Sequence, residues 1–493
     1  MLLPQWEMDF YLLVSVGFHI YSFYDIYLLS QDHVIEHDRG VDSEEGPLFW
    51  GLKKDTLDFE WRFWTGWARV PLLGLLIGHT VVSLASRYFL RALHPWCLMV
   101  YGMFACWFLL GIHGFGLLLL HIAVSYTVAQ LRIPVLSWGC SLFLLATLQV
   151  EAVEEEIRAW YRTENEYYLL QFTLAVRCLF YTSFSLEYCW QQENHESRYS
   201  LAWLLMYMFY YPMFHNGPIM NFDEFHKEMQ KQKTSAPKTD LVVCLLSVFR
   251  LFWWWWLAEL MIHLMHMHEM YTSDDFLKTA SHWILGGLAL AHVLFFYVKY
   301  LVLYGLPALV VRIDGMRPLP LPRCVSTMYS FTEMWRSFDV GLHRFLIRYI
   351  YIPMGGSRSG HGGMLLSTGI TFAFVTYWHG AHQNLWCWAA LNWIGINAEN
   401  VIRRLLSSSV VQSTICQTLS PEMQRRFHAV LAAVATSMLI LTNLVFLGGD
   451  HIGKIYWDKF FIEGWPWAPI IVWALLYCYA HIGIEWERVY HLP

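Results

Sequence analysis

Long apolar runs separated by short charged segments form most of the chain. A helix needs about 20 mostly apolar residues to cross a bilayer hydrocarbon core, which is about 30 Å thick. The apolar runs cover residues 10–29, 70–90, 96–120, 121–150, 201–214, 241–265, 283–311, 364–378, 385–402, 430–447 and 468–484. The shorter runs fit re-entrant or interfacial segments. The pattern therefore predicts an all-α polytopic membrane protein with about 10 to 12 membrane helices and re-entrant segments.

The composition supports a membrane location and excludes other classes of protein. Hydrophobic residues make up 56% of the chain and charged residues 15%, whereas a soluble domain carries about 25% charged residues. Because the charged connections are short, we expect a single membrane-embedded domain over residues 1–493. The formal net charge is −6, and no basic stripe is present to neutralise phosphates, so nucleic acid is not an expected partner.

Two titratable residues have strongly apolar neighbours. His379 ends the run Thr371 to Trp378, and Asp339 follows Trp335, Arg336, Ser337 and Phe338. Ionisable side chains within membrane segments are costly, so they mark functional sites by default. We therefore expect the chemistry at His379 and Asp339.

Other histidines compete for the same interpretation. His343 lies four residues after Asp339, and the two share one face if the segment is helical. His263, His266 and His268 look like a metal cluster at first sight. Their spacing does not place all three on one helical face, which favours packing at the membrane interface over metal binding.

Cys324 differs from the other nine cysteines, which are scattered and mostly lie inside apolar runs. It follows a proline-rich segment, residues 318–322, that cannot be helical, and it is preceded by Arg323. A thiolate beside an arginine is able to ligate a soft metal or haem iron. On these residues alone, an ordinary loop cysteine is the simpler interpretation.

The segment from Arg344 to Gly363 combines basic and aromatic residues with a helix-breaking sequence. Arg348 and Tyr351 precede Pro353, Gly355 and Gly356, and further glycines follow. Proline and glycine stop a helix and let the backbone approach a ligand closely, while a guanidinium group binds phosphate in a bidentate manner. A plain flexible loop is the alternative.

Together these motifs resemble the membrane-bound O-acyltransferases. The resemblance lies in Trp335-x-x-x-Asp339, in Arg348-Tyr-x-Tyr-x-Pro-x-Gly-Gly356 and in Trp378-His379-Gly380. It extends to the protein-acylating members through residues 53–55, 160–168, 209–212, 215–218 and 443–449. Asp at position 339, where lipid-modifying members usually have Asn, favours the protein-acylating members. His382, which adds a second imidazole after the Trp-His-Gly motif, departs from the pattern and makes the surroundings of His379 less certain.

The resemblance implies transfer of palmitate from palmitoyl-CoA to the N-terminal cysteine of secreted Hedgehog proteins, in a tunnel at the centre of the fold. The catalytic core is expected within residues 240–450, in a multi-pass protein of the endoplasmic reticulum membrane, with the Golgi as a further compartment. His379 would be the general base, and Asp339 would bind the amine or orient the histidine. Trp335, Arg336, Arg348, Trp378 and Asn443 would bind the substrates.

The resemblance also implies that Cys324 ligates the iron of a structural haem b. Two alternative functions remain open. A related acyltransferase would use the same histidine to acylate a lipid or a Wnt serine hydroxyl. A transporter or haem-bearing membrane scaffold without catalysis would use the polar residues to line a path, although no paired repeat is evident in the sequence.

Overall fold

The protein is described by a computed structural model that covers residues 3–37, 52–191, 199–214, 216–234 and 241–490, without side chains for 32–37 and 232–234. His215 of the 215–218 motif lies outside the described residues. Within these ranges the chain contains helices and no strand, as the sequence predicts. The first helices are α1 Gln5–His37, α2 Phe59–Arg62, α3 Arg69–Phe89, α4 His94–Ala129, α5 Pro134–Thr147, α6 Glu151–Arg158, α7 Glu164–Trp190, α8 Leu201–Met208, α9 Phe222–Thr234, α10 Leu241–Leu264 and α11 Met267–Thr272. The remaining helices are α12 Asp274–Thr279, α13 His282–Ile313, α14 Phe331–Ser337, α15 Val340–Leu346, α16 Gly360–Trp378, α17 Gln383–Ser407, α18 Ser409–Thr418, α19 Pro421–Gly448, α20 Asp450–Trp457 and α21 Trp467–Tyr490.

Eight helices in the described part of the chain are long and apolar enough to cross a membrane, and the bent pair α5 and α6 raises the number to nine. The predicted runs 96–120 and 121–150 do not match two helices. Instead α4 continues to Ala129 as one 36-residue helix, kinked at Gly111, whose φ of 68° suits a residue without a Cβ. The predicted run 201–214 forms only the short α8 and one 3-10 turn.

Helix α7 is a candidate span that the apolar pattern does not predict. A capping box between Thr163 and Glu166 starts it, and 83% of its most apolar window is buried within the protein. It carries a fully buried Arg177, which donates to the carbonyl of Met213 and lies 4.1 Å from the ring centre of Phe180. Because protein rather than lipid surrounds α7, it tolerates polar residues that an exposed span would exclude.

The buried side chains form two large apolar clusters. The first is built mainly from α3, α4, α5, α7 and α8 together with α15 to α17. The second joins α10, α11 and α13 to the end of α19 and to α20. Residues of both clusters, such as Trp388 in the first and Phe338 at the edge of the second, line one cavity. Five of the predicted site residues, Trp335, Asp339, Trp378, His379 and Asn443, line this cavity.

Candidate active site

The cavity has a volume of about 1020 Å³. Aromatic and aliphatic side chains line most of it, and its polar lining is concentrated on a few segments. The polar residues include Asp58, Glu60, His268, His292, Lys299, Tyr300, Tyr304, Asp339, His343, His379, His382, Asn392 and Asn443. Several lining residues precede position 240, so the cavity draws on more of the chain than the predicted catalytic core at 240–450.

His379 ends α16 and is followed by a sharp turn. Gly380 has a φ of 104° and Ala381 a φ of 57°, and a positive φ is strained for a residue with a Cβ. Such strain is characteristic of functional sites. The imidazole packs edge-on against Trp378, at a centroid distance of 4.6 Å, and against Phe446 at 6.0 Å. Its exposed surface faces the cavity, and among the described residues it has no side-chain hydrogen-bond partner.

The protein around the cavity lowers the pKa of His379 to about 4, although the ring itself is exposed to the cavity space. The ring is therefore neutral at physiological pH, and one of its nitrogens has a free lone pair. An imidazole in this state is ready to accept a proton from a molecule bound in the cavity.

Asp339 caps the N-terminus of α15. Its Oδ1 accepts a hydrogen bond of 2.8 Å from the backbone N–H of Leu342, and its Oδ2 accepts one of 2.8 Å from the hydroxyl of Tyr304. Burial raises the pKa of Asp339, and these hydrogen bonds oppose the shift. In the described part of the chain, the carboxylate forms no ion pair and no hydrogen bond with His379. Asp339 and His379 share the cavity but not a direct contact.

The aromatic candidates and Asn443 also line the cavity. The indole N–H of Trp335 donates to Asn392 at 3.0 Å, and that of Trp378 donates to the carbonyl of Ala175 at 2.8 Å. Asn443 lies in α19 and donates to the carbonyl of Leu439 at 2.8 Å. The two tryptophans are therefore fixed in orientation, as a wall of a binding site requires.

Arg336 and Arg348 do not line this cavity. Arg336 is exposed on α14. The exposed guanidinium of Arg348 forms an ion pair with the buried Glu187 of α7. The glycine segment that follows has positive φ angles at Gly355 and Gly356 and ends the preceding helical turn, as its sequence predicts.

His343, the competing candidate, lies on α15 and lines the same cavity. Burial, followed by the charges of Arg336 and Arg344, lowers its pKa to about 4. Geometry therefore places two neutral imidazoles at one cavity. They differ in backbone setting, since His343 is inside a regular helix, whereas His379 precedes the strained turn at Ala381.

The sequence analysis missed an ionic cluster on the cavity wall. Lys299 Nζ lies 2.8 Å from Asp58 Oδ2 and 3.0 Å from Glu60 Oε2. Tyr300 donates to both oxygens of Glu60 at 3.1 Å. Its only local signal is Asp58 at the N-cap of α2 with Glu60 in the first turn, because the partner Lys299 is more than 200 residues away.

The three histidines of the histidine-rich segment contact different partners. His263 Nδ1 lies 2.7 Å from the carbonyl of Glu259, His266 pairs with Glu269 at 3.1 Å, and His268 pairs with Asp55 at 2.9 Å. Each ring thus has a separate partner. Over the ranges that the structure describes, no three His, Cys, Asp or Glu side chains converge on a metal position.

Cys324 lies outside the cavity, partly buried at the edge of the second apolar cluster. The hydroxyl of Ser326 and the backbone N–H groups of Ser326 and Thr327 hydrogen-bond to its sulfur, although burial raises the pKa of the thiol. Those donors favour a thiolate, and a thiolate is a ligand for haem iron. In this structure Cys324 is a partly buried thiol, and in the described part of the chain no group of three metal-ligating side chains surrounds it.

A second, apolar chamber adjoins the cavity. It lies between α1, α13, α19 and α21, and most of its lining is aliphatic or aromatic. Phe296, Met334, Asn443 and Leu447 line both spaces. Together the two spaces offer a polar reaction chamber beside a hydrocarbon-lined one.

Among these helices the cavity thus brings the partly buried carboxylate of Asp339 to the same space as the imidazole of His379, which has no side-chain hydrogen-bond partner in the described residues. The sequence model of the membrane-bound O-acyltransferase family matches residues 128–442. The chain belongs to this family and is therefore a membrane-bound acyltransferase. The matched region contains Asp339 and His379.

Three curated relatives span almost the whole chain. It is 55% identical over 496 residues to the protein-cysteine N-palmitoyltransferase HHAT of Mus musculus, covering 99% of each chain. The HHAT-like protein of the same species is 29% identical, covering 99% of this chain and 96% of its own. The protein-cysteine N-palmitoyltransferase Rasp of Drosophila melanogaster is 26% identical, covering 94% and 92%.

Proposed function

We propose that this enzyme transfers palmitate from palmitoyl-CoA to the N-terminal cysteine amine of a secreted Hedgehog protein and forms a stable amide. The observation that carries the proposal is the shared cavity of His379 and Asp339. The similarity to protein-cysteine N-palmitoyltransferases over the full length of the chain supports the acyl group and the acceptor.

His379 is the general base. The acceptor ammonium first loses a proton to water. The free amine then attacks the thioester carbon, a C–N bond forms, and the nitrogen of the tetrahedral adduct becomes acidic. The neutral imidazole takes that proton and returns it to the CoA sulfur as the C–S bond breaks, which yields the amide and CoA thiol. A positioned base of this kind contributes about 10² to 10⁴ in rate.

Asp339 binds the amino terminus of the acceptor. An α-amine has a pKa of about 7.7 to 8.0, so it arrives mostly as ammonium at neutral pH. A partly buried carboxylate without an ion-pair partner in the described residues is suited to hold that cation, because the acceptor itself supplies the missing charge. The lack of a hydrogen bond to His379 favours this role over orientation of the imidazole.

The apolar chamber holds the fatty chain. It begins at Asn443 and Met334, where it meets the reaction cavity, so a thioester placed near His379 is able to extend its hydrocarbon into it. Trp335 and Trp378 wall the reaction side. The burial of apolar surface, worth about 0.8 kcal/mol per methylene group, then makes chain length a determinant of affinity.

Arg336, Arg348 and the glycine segment form the CoA end of the site in this proposal. Both guanidinium groups are exposed and therefore accessible to phosphates from outside the cavity. Palmitoyl-CoA comes from the cytosol and the secreted acceptor from the lumen. The proposal accordingly places the enzyme in the endoplasmic reticulum membrane, with residues 1–493 as one acyltransferase domain.

Haem b at Cys324 has a structural role in this proposal. Burial raises the pKa of the Cys324 thiol, and hydrogen bonds from Ser326 and Thr327 oppose that rise. Bound iron would itself stabilise the thiolate, and the haem would take no part in acyl transfer. Purified protein should show a Soret band that Cys324→Ala removes. A colourless wild-type preparation would rule out the haem.

The test of function uses purified enzyme in detergent with palmitoyl-CoA and three acceptors. These are a peptide that begins with the Hedgehog N-terminal cysteine, the same peptide with an acetylated amine, and a lipid alcohol. The free-amine peptide alone should gain palmitate by mass spectrometry. Palmitate on the lipid alcohol instead would favour the related hydroxyl acyltransferase, and absence of CoA release with every acceptor would favour a non-catalytic scaffold.

A further inference from the structure

The carboxylate of Asp339 is held by two different donors. Oδ1 caps α15 through the N–H of Leu342, and Oδ2 receives the hydroxyl of Tyr304, each at 2.8 Å. We infer that Tyr304 is a positioning residue, which aims Oδ2 of Asp339 at the incoming amino group. The inference rests on the proposed function of Asp339.

The position of Tyr304 is itself fixed by α13. Its ring packs edge-on against Tyr300, one helical turn earlier, at a centroid distance of 5.1 Å. The hydroxyl of Tyr300 donates to both oxygens of Glu60. Lys299 adds ion pairs to Asp58 and Glu60 on the same stretch of helix. The side chains of Lys299, Tyr300 and Tyr304 on α13 are therefore each held by a neighbouring group. A positioning role requires a donor that is fixed in this way.

Acceptor capacity leaves room for substrate at Oδ2. Each carboxylate oxygen has about two acceptor positions, and the hydroxyl of Tyr304 occupies one of them. The second remains for an ammonium N–H. The peptide amine would thus share Oδ2 with Tyr304, while Oδ1 stays committed to the helix cap.

The other charged and titratable groups around the cavity do not substitute for Tyr304. They are Asp58, Glu60, Glu154, Tyr168, His268, His292, Lys299, Tyr300, His343, His379 and His382, with Arg336 next to the cavity on α14. Among these described groups none is hydrogen-bonded to the carboxylate of Asp339. Burial raises the pKa of Asp339, and the hydrogen bond from Tyr304 lowers it. Removal of the Tyr304 hydroxyl should therefore raise the pKa of Asp339 further.

Tyr304→Phe should lower kcat/KM for the acceptor peptide by about 10- to 100-fold, the range of one hydrogen bond to a charged group. The KM for palmitoyl-CoA should not change. The acid limb of activity should move to higher pH, because a larger fraction of Asp339 is protonated. Tyr101→Phe is the matched control, since it removes a hydroxyl that donates to the carbonyl of Leu75 at 2.6 Å away from the cavity. Kinetics and pH profile identical to those of wild type would overturn the inference.

A double-mutant cycle tests whether Tyr304 acts through Asp339. The affinity for a fluorescent acceptor peptide is measured by anisotropy for Tyr304→Phe, Asp339→Asn and the double variant. If Tyr304 positions Asp339, the double variant should bind no more weakly than Asp339→Asn alone. Independent, additive losses would contradict the inference.

A fluorinated tyrosine incorporated at position 304 provides a test that keeps the shape of the side chain. A more acidic phenol is a stronger hydrogen-bond donor, so the acid limb of the pH–activity profile should move to lower pH. An unchanged acid limb would contradict the role of Tyr304, even if the Tyr304→Phe variant failed to fold. Turnover by the wild-type enzyme distinguishes failure of the proposed function from failure of the inference on Tyr304. No acylation by wild type would remove the proposed function, whereas normal acylation with an unaffected Tyr304 variant would remove only this inference.

Discussion

The pH dependence of acylation depends on the state of His379. Burial lowers the pKa of its imidazole to about 4, so the base form is complete above about pH 5. The acceptor amine titrates at about 7.7 to 8.0. Between pH 5.5 and 7.5, log kcat/KM for the peptide should therefore rise with a slope of about one, because only the amine is losing a proton.

An imidazole with an unshifted pKa of about 6.5 would give a different profile. Its protonation would raise the slope of log kcat/KM against pH from one to two below pH 6.5. Measurements between pH 5.5 and 7.5 therefore distinguish a lowered from an unshifted pKa of His379. Asp339, whose pKa is raised, is able to add slope of its own. The profile is therefore measured for wild type and for Asp339→Asn, by mass spectrometry of the acylated peptide. A slope of two that persists in Asp339→Asn would refute the lowered pKa of His379.

The lowered pKa also decides which proton His379 removes. Transfer from a free ammonium of pKa about 8 to an imidazole of pKa about 4 is uphill by about 4 units, or about 5.4 kcal/mol. Transfer from the acidic nitrogen of the tetrahedral adduct avoids this cost. His379→Ala should then lower kcat by about 10² to 10⁴ and leave the melting temperature nearly unchanged, since the ring makes no hydrogen bond in the described structure. His343→Ala is the parallel variant, and a greater loss there would exchange the roles of the two histidines.

Two further predictions concern the scaffold of the site. A Cβ at Gly341 would lie 2.4 Å from the carbonyl oxygen of Ile219, so Gly341→Ala should displace α15 and cost about 1 to 3 kcal/mol with loss of activity. Gly116→Ala in α4, where a Cβ meets open space, should retain stability and activity; thermal unfolding and turnover measure the pair. Lys299→Met should destabilise the protein by about 3 to 5 kcal/mol at pH 7 and by less at pH 5. Without Lys299, burial penalises Asp58 only when its carboxylate is ionised, and more of it is protonated at pH 5. Equal losses of stability at both pH values in thermal unfolding would contradict the ion-pair explanation.

The class of fold was predictable because lipid-facing helices must be apolar along their whole length. The same rule explains where the sequence analysis failed. Helix α7 is surrounded by protein, so its buried Arg177 and Glu187 have partners inside the fold, and its apolar signal is diluted below that of the outer helices. Hydropathy therefore predicts which helices contact lipid better than it predicts which helices lie within the membrane.

The predicted site shows a parallel division between local and distant information. His379 and Asp339 were found because each is a titratable residue in an apolar setting, which is a local property of the sequence. Tyr304 carries no such signal, since a tyrosine in an apolar helix is ordinary, and its partner is separated from it by 35 positions. The residues that perform a reaction are thus easier to read from sequence than those that hold them in place, because positioning arises only when the fold brings distant segments together. For this enzyme, mutations of Tyr300 and Tyr304 on α13 should show whether the hydroxyl of Tyr304 acts as a positioning donor or only packs against its neighbours. Further changes at the proposed catalytic residues His379 and Asp339 would not separate these two possibilities as clearly.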